Sequence, residues 1–300
     1  MILDLPNTTT VDINSELLKL RKEGGVVTIG RVMTLVIDAT DADAEEAIRT
    51  ANEASREHPC RIIVLSPQED SESLDGQIRV GGDAGASEVI VLRPPLSAMD
   101  HADTLITPML LPDAPIVAWW ASVVPLVPSA TGIGAMAQRR ITDTKGTASP
   151  TAVLCSLSDA YTPGDTDLAW TRITRWRALL ASALDQVSDQ RVTKARIHGD
   201  VNSPSILLLG AWLRRALGCE FEASYDPEAT GLVSVCLDTP SGVISIDRRD
   251  GINATLSQPG QPPHIITLPS RTQGECLAEE LRRMDNDPVY GEALRQIAHC

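Results

Sequence analysis

Aromatic side chains are scarce: Phe, Tyr and Trp make up 3% of the 300 residues, and Phe221 is the single phenylalanine. Any core must therefore be aliphatic, and the five tryptophans stand out against it. Positive charge is also short. Lys and Arg number 26 against 40 Asp and Glu, a net charge of −14. Such a chain is repelled by phosphate backbones and anionic membranes, which argues against nucleic acid and lipid as partners and leaves room only for a local basic patch holding a small anionic metabolite. The six cysteines, Cys60, Cys155, Cys219, Cys236, Cys276 and Cys300, include no C-x-x-C and no clustered histidines. Neither a zinc site nor a disulfide framework is expected; the expectation is six reduced thiols in a cytoplasmic protein. No P-loop, G-x-S-x-G or H-E-x-x-H sequence is present, which argues weakly against the commonest hydrolases and nucleoside triphosphatases. The charge-free run 114–138 is long enough for a membrane span, but Pro115, Pro125 and Pro128, followed by Gly132 and Gly134, break it repeatedly. Met1 to Pro6 lacks basic residues and a long apolar run, so no secretory signal is expected.

What remains is ordinary globular chemistry, 43% hydrophobic and 22% charged, in a length suited to about two domains. Apolar spacing predicts helices over 13–23, 41–58 and 101–106. Between them lie β-branched runs at 26–37, 60–65, 77–80, 88–92 and 116–120. Strands alternating with helices indicate an α/β domain with a largely parallel sheet over 1–145. Gly, Pro, Ser, Thr and Asp then dominate, and 146–163 is read as a linker. A long helix over 165–185 opens the second domain, 164–300. A strand (192–197), a helix (205–217), strands at 220–223, 232–238, 243–247, 253–257 and 265–268, and two closing helices make it α+β with a mixed sheet.

Each candidate site has a plain structural counterpart. Gly132-Ile133-Gly134-Ala135-Met136-Ala137 fits G-x-G-x-x-A, but it follows no strand and has no acidic residue well placed about 20 residues on, so a helix start is the better reading. His58 stands two residues from Cys60, yet Cys60 begins an apolar strand and is expected to face the core. Arg56, Arg61 and Arg79 surround the loop Gly81-Gly82-Asp83-Ala84-Gly85, and with His58 they form a candidate anion or partner site. The counterpart is pairing with Glu53, Glu57 or Asp83. Arg139 and Arg140 belong to the same candidate set. Asp165 and Asp167 read as helix caps, not metal ligands. On the helix from Asp165, apolar residues cover half the circumference, with Arg172 and Arg177 inside the arc beside Trp170 and Trp176. Two readings stand open there: stems buried with charged heads in water, or a face covered by a partner.

Several segments together resemble one family. They are Asn52-Glu53-Ala54-Ser55-Arg56-Glu57-His58-Pro59, the run Arg79 to Glu88, Leu110-Leu111-Pro112-Asp113-Ala114-Pro115-Ile116-Val117-Ala118-Trp119-Trp120, and Ala137-Gln138-Arg139-Arg140-Ile141-Thr142-Asp143. Further on come Pro163-Gly164-Asp165-Thr166-Asp167-Leu168-Ala169-Trp170, Arg175-Trp176-Arg177, and the run Cys276 to Asp285. In this order the chain resembles the glucose-6-phosphate dehydrogenase assembly protein family, OpcA. The resemblance implies a bacterial cytoplasmic protein of the oxidative pentose phosphate pathway. It would bind glucose-6-phosphate dehydrogenase as a non-catalytic assembly factor or allosteric activator, with no catalytic residues, cofactor or metal of its own. The rival expectation from the arginine-lined loop is a sugar-phosphate-processing, lactonase-like enzyme.

Overall fold

The computed structural model describes residues 1–23, 32–81, 88–187 and 191–297. The chain forms two compact units: Met1–Asp143 with Gln273–Asn286, and Thr144–Thr272 with Asp287–Cys300. The architecture is α/β, as the residue pattern indicates.

The first unit opens with strand β1 (Ile2–Thr8) and helix α1 (Thr10–Glu23). Thr9 caps that helix: Thr9 Oγ1 accepts from the Asp12 amide at 3.2 Å and donates to the Asp12 carboxylate at 2.7 Å. Then come β2 (Met33–Asp38), α2 (Ala44–Ser55), β3 (Cys60–Leu65), β4 (Leu74–Arg79), β5 (Glu88–Arg93), α3 (Ala102–Ile106), β6 (Ile116–Trp120), α4 (Gly132–Met136) and β7 (Arg139–Thr142). The part of the expected 26–37 strand before residue 32 lies outside the described residues. Seven strands lie in the order β1-β4-β5-β3-β2-β6-β7. The five from β5 to β7 are mutually parallel; at one edge β4 pairs antiparallel with β5, and β1 pairs antiparallel with β4. Successive residues of β3 are all buried, so both faces of the sheet are covered, which is why these strands read as unbroken apolar runs. Ile63, Leu65, Val36, Ile90 and Trp120 pack with Ile13 and Leu17 of α1 in one cluster. The charge-free run 114–138 becomes β6 and α4, and among the described residues no helix is long and apolar enough to cross a membrane.

The second unit begins in the stretch expected to be a linker, where Pro150–Ala160 form α5 with Pro150 in the first turn. After β8 (Asp165–Asp167) the expected single helix is two: α6 (Leu168–Arg172) and α7 (Thr174–Asp185). Ile173 leaves helical geometry at φ −97°, ψ 6°, so the faces before and after it no longer project on one wheel. That break lets both Trp170 and Trp176 turn inward, 1% and 2% exposed. The strands β9 (Lys194–Gly199), β10 (Glu220–Tyr225), β11 (Leu232–Thr239), β12 (Gly242–Asp247), β13 (Asn253–Ser257) and β14 (His264–Thr267) form a mixed sheet, β10-β9-β11-β12-β13-β14, parallel only between β9 and β10. Helix α8 (Pro204–Leu217) packs on it. Gly210 is required there, because a Cβ would sit 2.4 Å from the ring of Phe221. Helix α9 (Gln273–Leu281) belongs to the first unit and packs on α2, while α10 (Pro288–Ile297) packs on α5 and α8 in the second.

Candidate functional site

The parallel strands dictate where a ligand crevice forms in the first unit. From β2 the chain moves through α2 to β3 on one side, and later returns to β6 on the other side of β2. Strand order reverses between β2 and β6, and loops leaving such a point part at the carboxyl ends of the strands. A cavity of about 890 Å³ lies there, lined by Asp38, Thr40, Asp41, Gln68, Glu69, Ser122 and Val123, among others. The Thr40 amide donates to Ser122 Oγ at 3.1 Å, and Ala121 N donates to the Asp38 carbonyl at 2.9 Å, which ties the two loops together. Asp41 takes Arg93 as a neighbour at 3.5 Å. Burial pushes the Asp38 carboxyl up to about 6. Hydrogen bonds from Thr40 and Ser122 hold Asp43 below its usual value.

The turn after β2 is Asp38-Ala39-Thr40-Asp41-Ala42-Asp43, without glycine, and the first turn of α2 adds Glu45 and Glu46. A dinucleotide site needs the reverse: glycines that let backbone approach a pyrophosphate, and a helix N-terminus free of negative charge. These residues do not fit a dinucleotide phosphate, and they favour neutral, hydroxylic or cationic groups instead. At the cavity the apolar side chains Leu96 and Val123 stand 53% and 69% exposed, and Leu126, three residues after Val123, stands 73% exposed. Sequence reasoning passed over this acidic turn. Its signal was an Asp-rich stretch directly following a β-branched run.

Several of the described sequence-derived candidates in the first unit are buried in contacts of their own. Arg56 is exposed at the end of α2, and His58 is half-buried with Nε2 lacking a hydrogen-bond partner among the described residues. Arg61 is 3% exposed; its Nε donates to Glu88, itself 1% exposed, at 2.9 Å, and it also donates to the Met109 carbonyl. Arg79 binds Glu45 in a two-pronged pair and donates to Gln77 at 2.7 Å. Among the described residues the carboxylate partners of Arg61 and Arg79 are thus Glu88 and Glu45, distant in sequence, and not Glu53 or Glu57. Gly81 holds a left-handed φ of 74°. Gly82, Asp83 and Gly85 lie outside the described residues. Arg139 is buried against Glu280 of the segment that returns to this unit, and buried Arg140 donates to the Ala137 carbonyl at 2.8 Å. The G-x-G-x-x-A run forms α4, capped by Thr131.

In the second unit, Trp170 Nε1 donates to Asp287 at 2.8 Å, and its ring lies 5.8 Å from that of Tyr290. The Arg177 guanidinium stacks 3.5 Å above Trp170. Both tryptophans therefore belong to the interior of this unit, while Arg172 and Arg177 are half-buried. Asp167 caps α6, accepting from the Ala169 amide. Among the described residues, Cys60, Cys155, Cys219, Cys236 and Cys276 form no disulfide, and no cluster could hold a metal ion.

Comparison with known proteins places this architecture. The profile described as the glucose-6-phosphate dehydrogenase subunit N-terminal domain matches residues 51–159, and the profile described as the C-terminal domain of the same subunit matches residues 163–294. Curated proteins give no match. Among solved structures, KijD10, a 3-ketoreductase from Actinomadura kijaniata in complex with TDP-benzene and NADP, in an open conformation, has a TM-score of 0.50 at 10% identity, covering 90% of this chain and 95% of that one. A variant of the same enzyme, also with TDP-benzene and NADP, has a TM-score of 0.50 at 10% identity over 89% of this chain and 95% of that one. At such identity the likeness is one of fold, and the acidic turn after β2 keeps NADP from being carried over with it. The two profiles match residues in both units of the fold, and the chain belongs to the glucose-6-phosphate dehydrogenase assembly protein family, OpcA.

Proposed function

We propose that this chain is a non-catalytic partner of glucose-6-phosphate dehydrogenase that promotes its assembly and raises its activity or substrate affinity, acting in the bacterial cytoplasm. The observation that carries this reading is the pair of family matches over 51–159 and 163–294. The Asp38–Asp43 turn supports it, because a chain with an oxidoreductase-like fold but a dinucleotide turn made of carboxylates is suited to binding, not to hydride transfer. The sugar-phosphate-processing alternative finds no support in fold, since the similar structures are oxidoreductases and not lactonases. We assign the docking face for the dehydrogenase to the apolar loop of Val123, Leu126 and Val127, which is exposed on the first unit. Three large apolar side chains within five residues at 42–73% exposure are a surface that a subunit contact would cover.

A modulator shifts an enzyme only by its differential affinity for two states, so a coupling of ~1–3 kcal/mol changes substrate affinity ~5–150-fold. The test is a glucose 6-phosphate titration of the dehydrogenase from the same cell, with and without a molar excess of this protein. A direct binding assay with and without substrate accompanies it. The expected result is a raised rate at subsaturating substrate, with substrate tightening the complex by the same factor. The isolated chain should reduce no NADP. Leu126→Asp should weaken the complex while leaving the chain's own melting temperature unchanged. Unaltered kinetics with no complex at micromolar concentration would overturn the reading.

A further inference from the structure

The second unit holds a smaller cavity of opposite charge. It measures about 80 Å³, several times the ~10–15 Å³ that one water needs, and far less than a nucleotide fills. Lys145, Arg172, Arg248 and Arg271 contribute to its wall, and among the described residues no carboxylate does. Ser203, Pro204 and Ser205 bring the N-terminus of the 14-residue helix α8 to the same space. Ser203 is the capping residue, yet its side chain makes no capping hydrogen bond.

Arg248 carries the argument furthest. It is 5% exposed, and its Nη1 and Nη2 donate to the carbonyls of Leu268 and Leu232 at 3.0 and 2.7 Å. Among the described residues its Nε is buried without a hydrogen-bond partner. The carboxylate that acts on it is Asp250, which is fully exposed two residues further on, and burial lowers the guanidinium's pKa. The ring of Trp176 lies 5.1 Å away and screens it from water. Arginine cannot escape burial by losing its proton, so a buried guanidinium held by carbonyls alone keeps a charge that an anion would compensate. Arg271, anchored by its bond to the Thr171 carbonyl at 2.9 Å, is fixed at the same wall.

We infer that this cavity is a binding site for the phosphoryl group of a small phosphate monoester or for free phosphate. Three planar guanidinium groups suit a tetrahedral oxyanion, with hydrogen bonds along several directions. A helix N-terminus adds amide donors and favourable dipole. The volume admits the head group and leaves any carbon skeleton outside.

The test is calorimetric titration of the full chain with inorganic phosphate and, separately, with glycerol 2-phosphate, sodium chloride keeping ionic strength constant. Saturable binding of one equivalent with a Kd of about 1 mM or tighter is expected for at least one of them. Binding of the ester alone, or more tightly, identifies a monoester site; binding of inorganic phosphate alone identifies a phosphate site. Lys145→Gln and Arg172→Gln should each weaken binding about tenfold or more, with unchanged circular dichroism. Arg196→Gln, on the exposed face of β9 where Arg196 pairs with Asp238, should not alter it. Absence of saturable binding by both ligands overturns the assignment. So does binding that the Arg196 variant weakens as much as the Arg172 variant.

Discussion

In the first unit Arg61 and Arg139 are 3% and 2% exposed, and each faces a carboxylate, Glu88 and Glu280. In the second unit Arg248 is nearly as buried, yet carbonyl oxygens are its hydrogen-bond partners among the described residues. The cavities differ in the same sense. The large one at the end of β2 is lined by carboxylates, and the small one beside α8 by cations. Burial alone therefore does not tell a structural arginine from a ligand-seeking one. The internal carboxylate does: where the chain supplies it, the charge is settled on folding, and where it does not, the charge waits for a ligand.

The sharpest way to break this comparison is Glu88→Ala. It strands Arg61 in the core of the first unit and should cost about 3–5 kcal/mol of unfolding free energy, read by chemical denaturation. Phosphate should restore none of it. A loss below about 1 kcal/mol would mean that Arg61 tolerates burial unpaired, and the distinction from Arg248 would fail.

A somewhat smaller effect belongs to Asp38. Its pKa is raised from 3.8 to about 6, so the folded state holds a proton that the unfolded chain has released. Stability therefore falls as pH rises from about 4 to about 6, and above that the full penalty remains, up to about 3 kcal/mol by linkage. Asp38→Asn should match the parent below about pH 4 and exceed it at pH 7 to 8. Denaturation curves across this range check it; parallel curves at every pH would show that the crevice keeps Asp38 solvated.

The smallest effect concerns Arg79, whose partner Glu45 is 66% exposed. Glu45→Ala should cost at most about 1 kcal/mol, because solvent screens the pair. A loss as large as that of Glu88→Ala would place Arg79 with the buried pairs of the first unit.

Much of the first unit's parallel sheet was legible because its strands are buried on both faces. Cys60–Leu65 and Ile116–Trp120 appear in the sequence as runs with sharp ends, and Asn253–Ser257 as a short run between turn residues. The missed elements are those whose stability comes from elsewhere in the chain. β1 contains Pro6, lies at a sheet edge and is half exposed, so its own pattern is weak. α5 is rich in Ser and Thr, and burying Leu154 and Leu157 against α10 decides its state. The arginine-loop site was proposed from neighbours in sequence. Glu88 and Glu45, which pair with Arg61 and Arg79, lie 27 and 34 residues away. Arg248 and Arg271 meet Arg172 and Lys145 only through the turns of the mixed sheet, so no spacing could have joined them.

The return of α9 to α2 sets an order of events on the ribosome. Residues up to Asp143 emerge first, but Gln273–Asn286, which complete their unit, follow about 130 residues later. At ~5–20 residues per second this is a wait of roughly 6–26 s. Until then Arg139 lacks Glu280, and the flank of α2 where Glu53 meets Gly274 stays open. The later-made unit can gather its own sheet, β9 to β14, before the earlier-made one is finished. A chain truncated after residue 272 should therefore carry a protease-sensitive first unit, and one that includes Gln273–Asn286 a resistant one.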